Sequence, residues 1–77
     1  MSSNKNKNFK LKDIFSNNVR KYRLEQGISQ EELAGKAEVH RTYIGSVERG
    51  ERNVTINIME KISKALEKPI TDFFIKS

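Results

Sequence analysis

Seventy-seven residues allow one small domain with a thin core, and with no cysteine and a single histidine neither disulfides nor a Cys- or His-rich metal cluster can brace it. Well-packed helices and self-association remain as the means of stabilisation. The formal charge of +5 invites a nucleic-acid reading, but the first twelve residues hold four lysines and no acid, against eleven bases and ten acids in the remainder. The placement of the charges has to decide.

No apolar run approaches the roughly 18 residues of a membrane span. MSSNKNKN also lacks the apolar stretch of a secretory signal, so a cytoplasmic protein with no membrane partner is expected. Residues 1–10, rich in Asn, Lys and Ser, read as a disordered basic tail, either solvated or lying along phosphates. Residues 11–77 then form the domain.

Phe15, Val19 and Tyr22 share one face of a first helix, with Asp13 in its first turn and Gly27 as its stop. Leu24 falls off this stripe and is expected to be partly exposed or to pack near Ile28. Ser29 opens a second helix as an N-cap, and Glu32 three residues on completes a capping box. Leu33, Ala34 and Ala37 face inward, and the two alanines let another helix approach closely. Glu38-Val39-His40 is a turn, with His40 a candidate cap for a third helix over 41–49. Ile44 and Val47 point inward there, and Gly50 ends the helix. Thr55 caps a fourth helix that runs to about Glu67, with Ile56, Met59, Ile62 and Leu66 on its inner side. Pro69 interrupts, and a fifth short helix over 71–75 carries Phe73 and Phe74. No segment alternates as a strand does. The expected fold is all-α, a compact five-helix bundle.

The third helix exposes an unusual face. Advancing about 100° per residue from Ile44 places Thr42, Ser46 and Arg49 opposite the core, with Gly45 between them. Arg41 and Tyr43 flank the first turn. This face has donors, one aromatic and no acid, where an ordinary solvated face mixes Glu with Lys, as residues 57–67 do. It suits a DNA groove. Glu48 falls on the inward side beside Ile44 and Val47, and Arg23 borders the Phe15–Val19–Tyr22 face. A buried carboxylate without a partner is costly, so these two are expected to pair.

A short helix, a three-residue turn and a second helix with this face describe a helix-turn-helix. SQEELA, HRTYIGSVERGERN and KISKALEKPITDFF resemble the Cro/C1-type (XRE-like) family of phage repressors. The RTYI…VERG…RN form is similar to the small controller proteins of restriction–modification systems. The resemblance spans about residues 14–75 and implies a lambda-repressor-like DNA-binding domain. One departure is Glu38, where the family often has Gly. If that turn needs a positive φ, Glu costs about 1–2 kcal/mol there.

The resemblance further implies that Arg41, Thr42 and Ser46 face base edges. Gln30, His40, Tyr43, Arg49, Arg52 and Asn53 would contact phosphates or the groove edge, and Arg23 and Glu48 would pair. A larger polar residue often stands at the Gly45 position in controllers, so one contact is missing here. The thin core and the apolar Ile58, Ala65, Ile70, Phe73 and Phe74 point to a homodimer through the fourth and fifth helices. The expected function is a dimeric transcription regulator on a pseudo-palindromic double-stranded operator, within a restriction–modification operon. A phage or mobile-element repressor is the alternative, as is an antitoxin or adaptor module that keeps the fold for protein contacts. Acidic or apolar residues at 41, 42 and 46 would favour the last, whereas Arg, Thr and Ser favour DNA. Glu31 and Glu32 either complement the helix N-terminus or contact RNA polymerase beside a promoter. With no metal cluster, no Ser/His/Asp set and no glycine-rich phosphate loop, neither an enzyme nor a cofactor is expected.

Overall fold

The computed structural model describes residues 10–76; the expected tail over 1–10 lies outside them except for the exposed Lys10. Four α-helices follow one another: α1 Leu11–Glu25, α2 Gln30–Ala37, α3 Arg41–Glu48 and α4 Ile56–Ala65. A 3-10 helix over Ile70–Phe74 closes the described chain. The five-helix expectation is therefore corrected to four α-helices, and α4 stops earlier than Glu67. Pro69 brings no N–H and disfavours helical backbone at Lys68, and five residues are too few for a self-sustaining α-helix.

Three of the four helices start on a side-chain cap, and all four stop for a local reason. Ser29 Oγ accepts from the Glu32 N–H while the Glu32 carboxylate accepts from the Ser29 N–H, both within 2.9 Å. Thr55 Oγ1 accepts from the Ile58 N–H. At the other end all four helices turn back through one motif. A residue with positive φ follows the helix, and the next N–H reaches a carbonyl five residues earlier. The pairs are Ile28 to Arg23, Val39 to Ala34, Glu51 to Ser46 and Lys68 to Ser63. The positive-φ residues are Gly27 and Gly50, but also Glu38 (φ 61°) and Glu67 (φ 57°), where an L side chain is strained.

The core gathers Phe15, Val19, Tyr22, Leu33, Ala34, Ala37, Ile44, Val47, Ile62, Leu66 and Phe73. It lies among α1, the α2–α3 pair and α4, with the 3-10 helix packed on α1. Ile56, expected on the inner stripe, is 65% exposed at the start of α4. Leu24 is exposed as well.

Phe73 closes the bottom of this core. Its ring centroid lies 5.5 Å from Phe15 and 5.1 Å from Tyr22, edge-on to the latter. Three polar side chains then bind the C-terminal segments to α1. Asn18 Nδ2 donates to the carbonyls of Phe73 (2.8 Å) and Ile75 (2.9 Å), Tyr22 Oη donates to the Asp72 carbonyl (2.8 Å), and Gln26 Nε2 to that of Leu66 (2.7 Å). Burial, then the charges of Asp72 and Glu25, push the Tyr22 phenol above its usual range, so it stays a donor.

Candidate nucleic-acid interface

The α2–turn–α3 unit is held to α1 by one ionic group. Arg23 Nε donates to Glu48 Oε2 at 2.6 Å and Nη2 to Oε1 at 3.0 Å, while Nη1 donates to the Ile28 carbonyl. The side chains are 10% and 3% exposed. The Glu48 hydrogen bond raises the Arg23 pKa further above its ordinary value, against the opposing effect of burial. Gln30, the first residue of α2, adds its Nε2 to Glu48 Oε1 at 3.0 Å. This tie was not visible in the sequence, since eighteen positions separate the two residues. It keeps the Gln30 side chain beside α3.

His40 caps α3. Its Nδ1 accepts from the Thr42 N–H at 3.1 Å and lies 2.7 Å from Thr42 Oγ1. Arg41 and Thr42 are exposed in the first turn of α3, which contains no acid. With Gln30, Glu31, Gly45 and Arg49 they line a shallow cleft of about 240 Å³. Gly45 is buried rather than open: a Cβ there would stand 3.3 Å from Arg49 Nη1 and 3.5 Å from Gln30 Oε1. The Arg49 guanidinium folds back over it and donates to Glu51 at 2.9 Å.

Ser46 departs from expectation. It is 6% exposed, its Oγ donating to the Tyr43 carbonyl (2.8 Å) and accepting from Arg52 Nε (2.9 Å). The helical wheel placed it opposite the core, but the loop after α3 returns over that flank. The Arg52 guanidinium carbon stands 4.8 Å from the centre of the Tyr43 ring. Ser46 is thereby an anchor for Arg52, with its hydroxyl engaged inside the protein. Tyr43 is half-buried, and Arg52 and Asn53 are exposed in the loop.

The apolar residues expected at a dimer interface divide. Phe73 is fully buried in the monomer, so it is a core residue and not an interface residue. Ile58, Ala65, Ile70 and Phe74 remain half-buried. Ile58 and Ile70 line a groove of about 1000 Å³ between α4 and the 3-10 helix. Among the described residues, no helix is long and apolar enough to cross a membrane.

A helix-turn-helix family profile matches residues 19–73. The chain is 50% identical over 60 residues to the control protein C.SmaI of Serratia marcescens, which covers 78% of this chain and 71% of that one. The fold superposes on the restriction–modification controller protein C.AhdI from Aeromonas hydrophila with a TM-score of 0.79 and 36% identity, over 82% of this chain and 96% of that one. It also superposes on the controller C.Esp1396I, crystallised as a tetramer with its natural 35 base-pair operator. There the TM-score is 0.77 and the identity 45%, over 83% of this chain and 84% of that one. Alanine variants of that controller at a consecutive arginine, threonine and tyrosine match equally well. Arg41, Thr42 and Tyr43 are the same residue types in the same order. The chain belongs to the helix-turn-helix family, among the restriction–modification controller proteins.

Proposed function

We propose that this protein is a dimeric transcriptional regulator that binds a pseudo-palindromic operator upstream of its own operon in a restriction–modification system. The observation that carries the reading is the exposed, acid-free start of α3, Arg41 and Thr42, set against Gln30 at the N-terminus of α2. Arg41 and Thr42 read base edges in the major groove, where Arg pairs with guanine and Thr reaches a base edge or a thymine methyl. Gln30, His40, Tyr43, Arg49, Arg52 and Asn53 position the helix on the backbone and groove edge, contacts that fix orientation and do not themselves read a base.

A second copy seats on the groove beside Ile58 and Ile70, placing two copies of α3 about 34–36 Å apart, one turn of DNA. Glu31 and Glu32, exposed in the first turn of α2, contact RNA polymerase where the operator adjoins a promoter. Selection of binding sites from random duplex DNA, followed by footprinting of the region upstream of the gene, tests the reading. The expected result is a two-fold-related motif that also occurs upstream of the gene. Failure to enrich any sequence at physiological salt overturns it.

A further inference from the structure

Threonine at a DNA interface is ordinarily ambiguous, because its hydroxyl can donate to a base or accept from one. Here the ambiguity is removed within the protein. The Thr42 backbone N–H can only donate, and it is directed at His40 Nδ1 at 3.1 Å. That nitrogen must therefore offer a lone pair, which assigns the proton of the neutral ring to Nε2. Thr42 Oγ1 lies 2.7 Å from the same Nδ1. Two lone pairs facing each other at that separation would repel, so the hydroxyl proton points at the ring nitrogen.

We infer that His40 sets the polarity of Thr42, holding its hydroxyl as a pure acceptor so that this position of the operator is read as an exocyclic amino group, adenine N6 or cytosine N4, and not as a keto oxygen. The inference rests on the proposed function, since it needs Thr42 to touch a base. Within that function His40 is a positioning residue. It touches no base itself and acts through the hydroxyl it orients.

The chemistry of the four bases gives the consequence. In the major groove adenine and cytosine present an amino donor, guanine and thymine a keto acceptor. A hydroxyl with its proton engaged accepts from the first pair. It meets the second pair lone pair to lone pair, leaving a desolvated acceptor without a partner, which is the costly arrangement. A transition at the contacted base, adenine to guanine or cytosine to thymine, is thus rejected. A free threonine would rotate its proton and accommodate it. His40 does this through the same nitrogen that caps the helix, so the cap and the specificity device share one atom.

The test uses the full chain and three proteins: wild type, Thr42→Val and His40→Gly. Valine keeps the methyl group and removes the hydroxyl. Glycine removes the imidazole and is itself a tolerated N-cap residue; far-UV circular dichroism checks that the helices persist. Each protein is used to select from random duplex DNA, and the position whose preference Thr42→Val flattens is the one Thr42 reads. At that position, removing only the amino group from the wild-type site, with purine for adenine or 2-pyrimidinone for cytosine, is expected to weaken wild-type binding about 5- to 10-fold. Removing the keto oxygen of the paired base should change nothing. The transition should cost wild type about 10-fold or more, and His40→Gly no more than about 3-fold at that position alone.

A cap with no other role would weaken all sequences together and leave the ratio between amino and keto bases unchanged. That outcome, or a wild type that depends on the keto oxygen instead, overturns the inference while the DNA-reading role of Thr42 stands. If Thr42→Val flattens no position, both fall.

Discussion

Arg23 and Glu48 meet fork to fork across α1 and α3, with two hydrogen bonds of 2.6 and 3.0 Å, and Gln30 closes onto the same carboxylate at 3.0 Å. The pair joins the scaffold helix to α3, the helix proposed to face DNA. Its third member, Gln30, is the first residue of α2. Stability and surface geometry are therefore coupled through one carboxylate.

Removing either partner alone leaves a buried charge without its counterpart. Arg23→Ala and Glu48→Ala should each cost about 3–5 kcal/mol in urea unfolding. The double replacement Arg23→Met with Glu48→Leu should recover most of the loss, because apolar residues of similar volume often replace a buried pair without penalty. Single-variant losses below about 1 kcal/mol would place the pair among weak surface contacts.

Glu38 sits at φ 61°, in the left-handed region, and ends α2. Glycine adopts this backbone without the steric penalty, though it also makes the unfolded chain more flexible. Glu38→Gly should stabilise by about 0.5–1 kcal/mol and raise Tm by about 2–8 °C. A lower Tm would show that the carboxylate contributes more than the strain removes.

Arg41 and Arg52 differ in support, and their variants should differ in kind. Arg41→Ala should weaken specific binding by about 1–3 kcal/mol and relax one base pair. Arg52→Ala should weaken specific and scrambled DNA alike and reduce the salt slope by about one counterion. Ser46→Ala releases Arg52 Nε and should follow Arg52→Ala, without shifting base preference. Salt titrations on both DNAs check all three. A changed base preference in Ser46→Ala would return that residue to the reading face.

Phe73 and Ile70 lie three residues apart in the 3-10 helix, the first fully buried and the second half-buried beside the groove. Phe73→Ala should destabilise the fold by about 3–5 kcal/mol, as large-to-small changes in a closed core do. Ile70→Glu should leave the monomer folded and abolish dimerisation in sedimentation at micromolar concentration. A wild type that sediments only as a monomer, with and without DNA, would remove the second copy from the proposal.

Arg49 holds the Glu51 carboxyl below its usual range, chiefly through the hydrogen bond between them, with Coulombic attraction from Arg49 and Arg52 adding to it. A depressed carboxylate pKa means the stabilisation is present above the unfolded value of about 4.3 and is lost as pH falls through the lower folded one. An NMR titration should show Glu51 ionising below a model peptide in wild type and returning towards it in Arg49→Ala. An identical midpoint in both proteins would show that the contact is not formed in solution.

Local signals carried far in this chain. Ser29 with Glu32, Thr55 and His40 announced the helix starts, because a cap needs only a side chain and an N–H two or three residues on. The spacing of Phe15, Val19 and Tyr22 marked the core face, since helical periodicity is a property of adjacent turns. His40 and Thr42, two apart at a helix start, could have signalled their hydroxyl contact, but only a rotamer reveals a distance of 2.7 Å. Residues brought together across the chain were decided by tertiary packing. Ser46 went under Arg52 because the loop after α3 returns across its flank, and a helical wheel contains no loop. Phe73 entered the core because Asn18 and Tyr22, more than fifty positions earlier, capture the carbonyls around it. The last turn is a 3-10 helix of five residues, too short to sustain an α-helix, held by those captured carbonyls. Periodicity and capping act between neighbours and can be read along the chain; which side a loop covers depends on distant surfaces that exist only once the helices have packed.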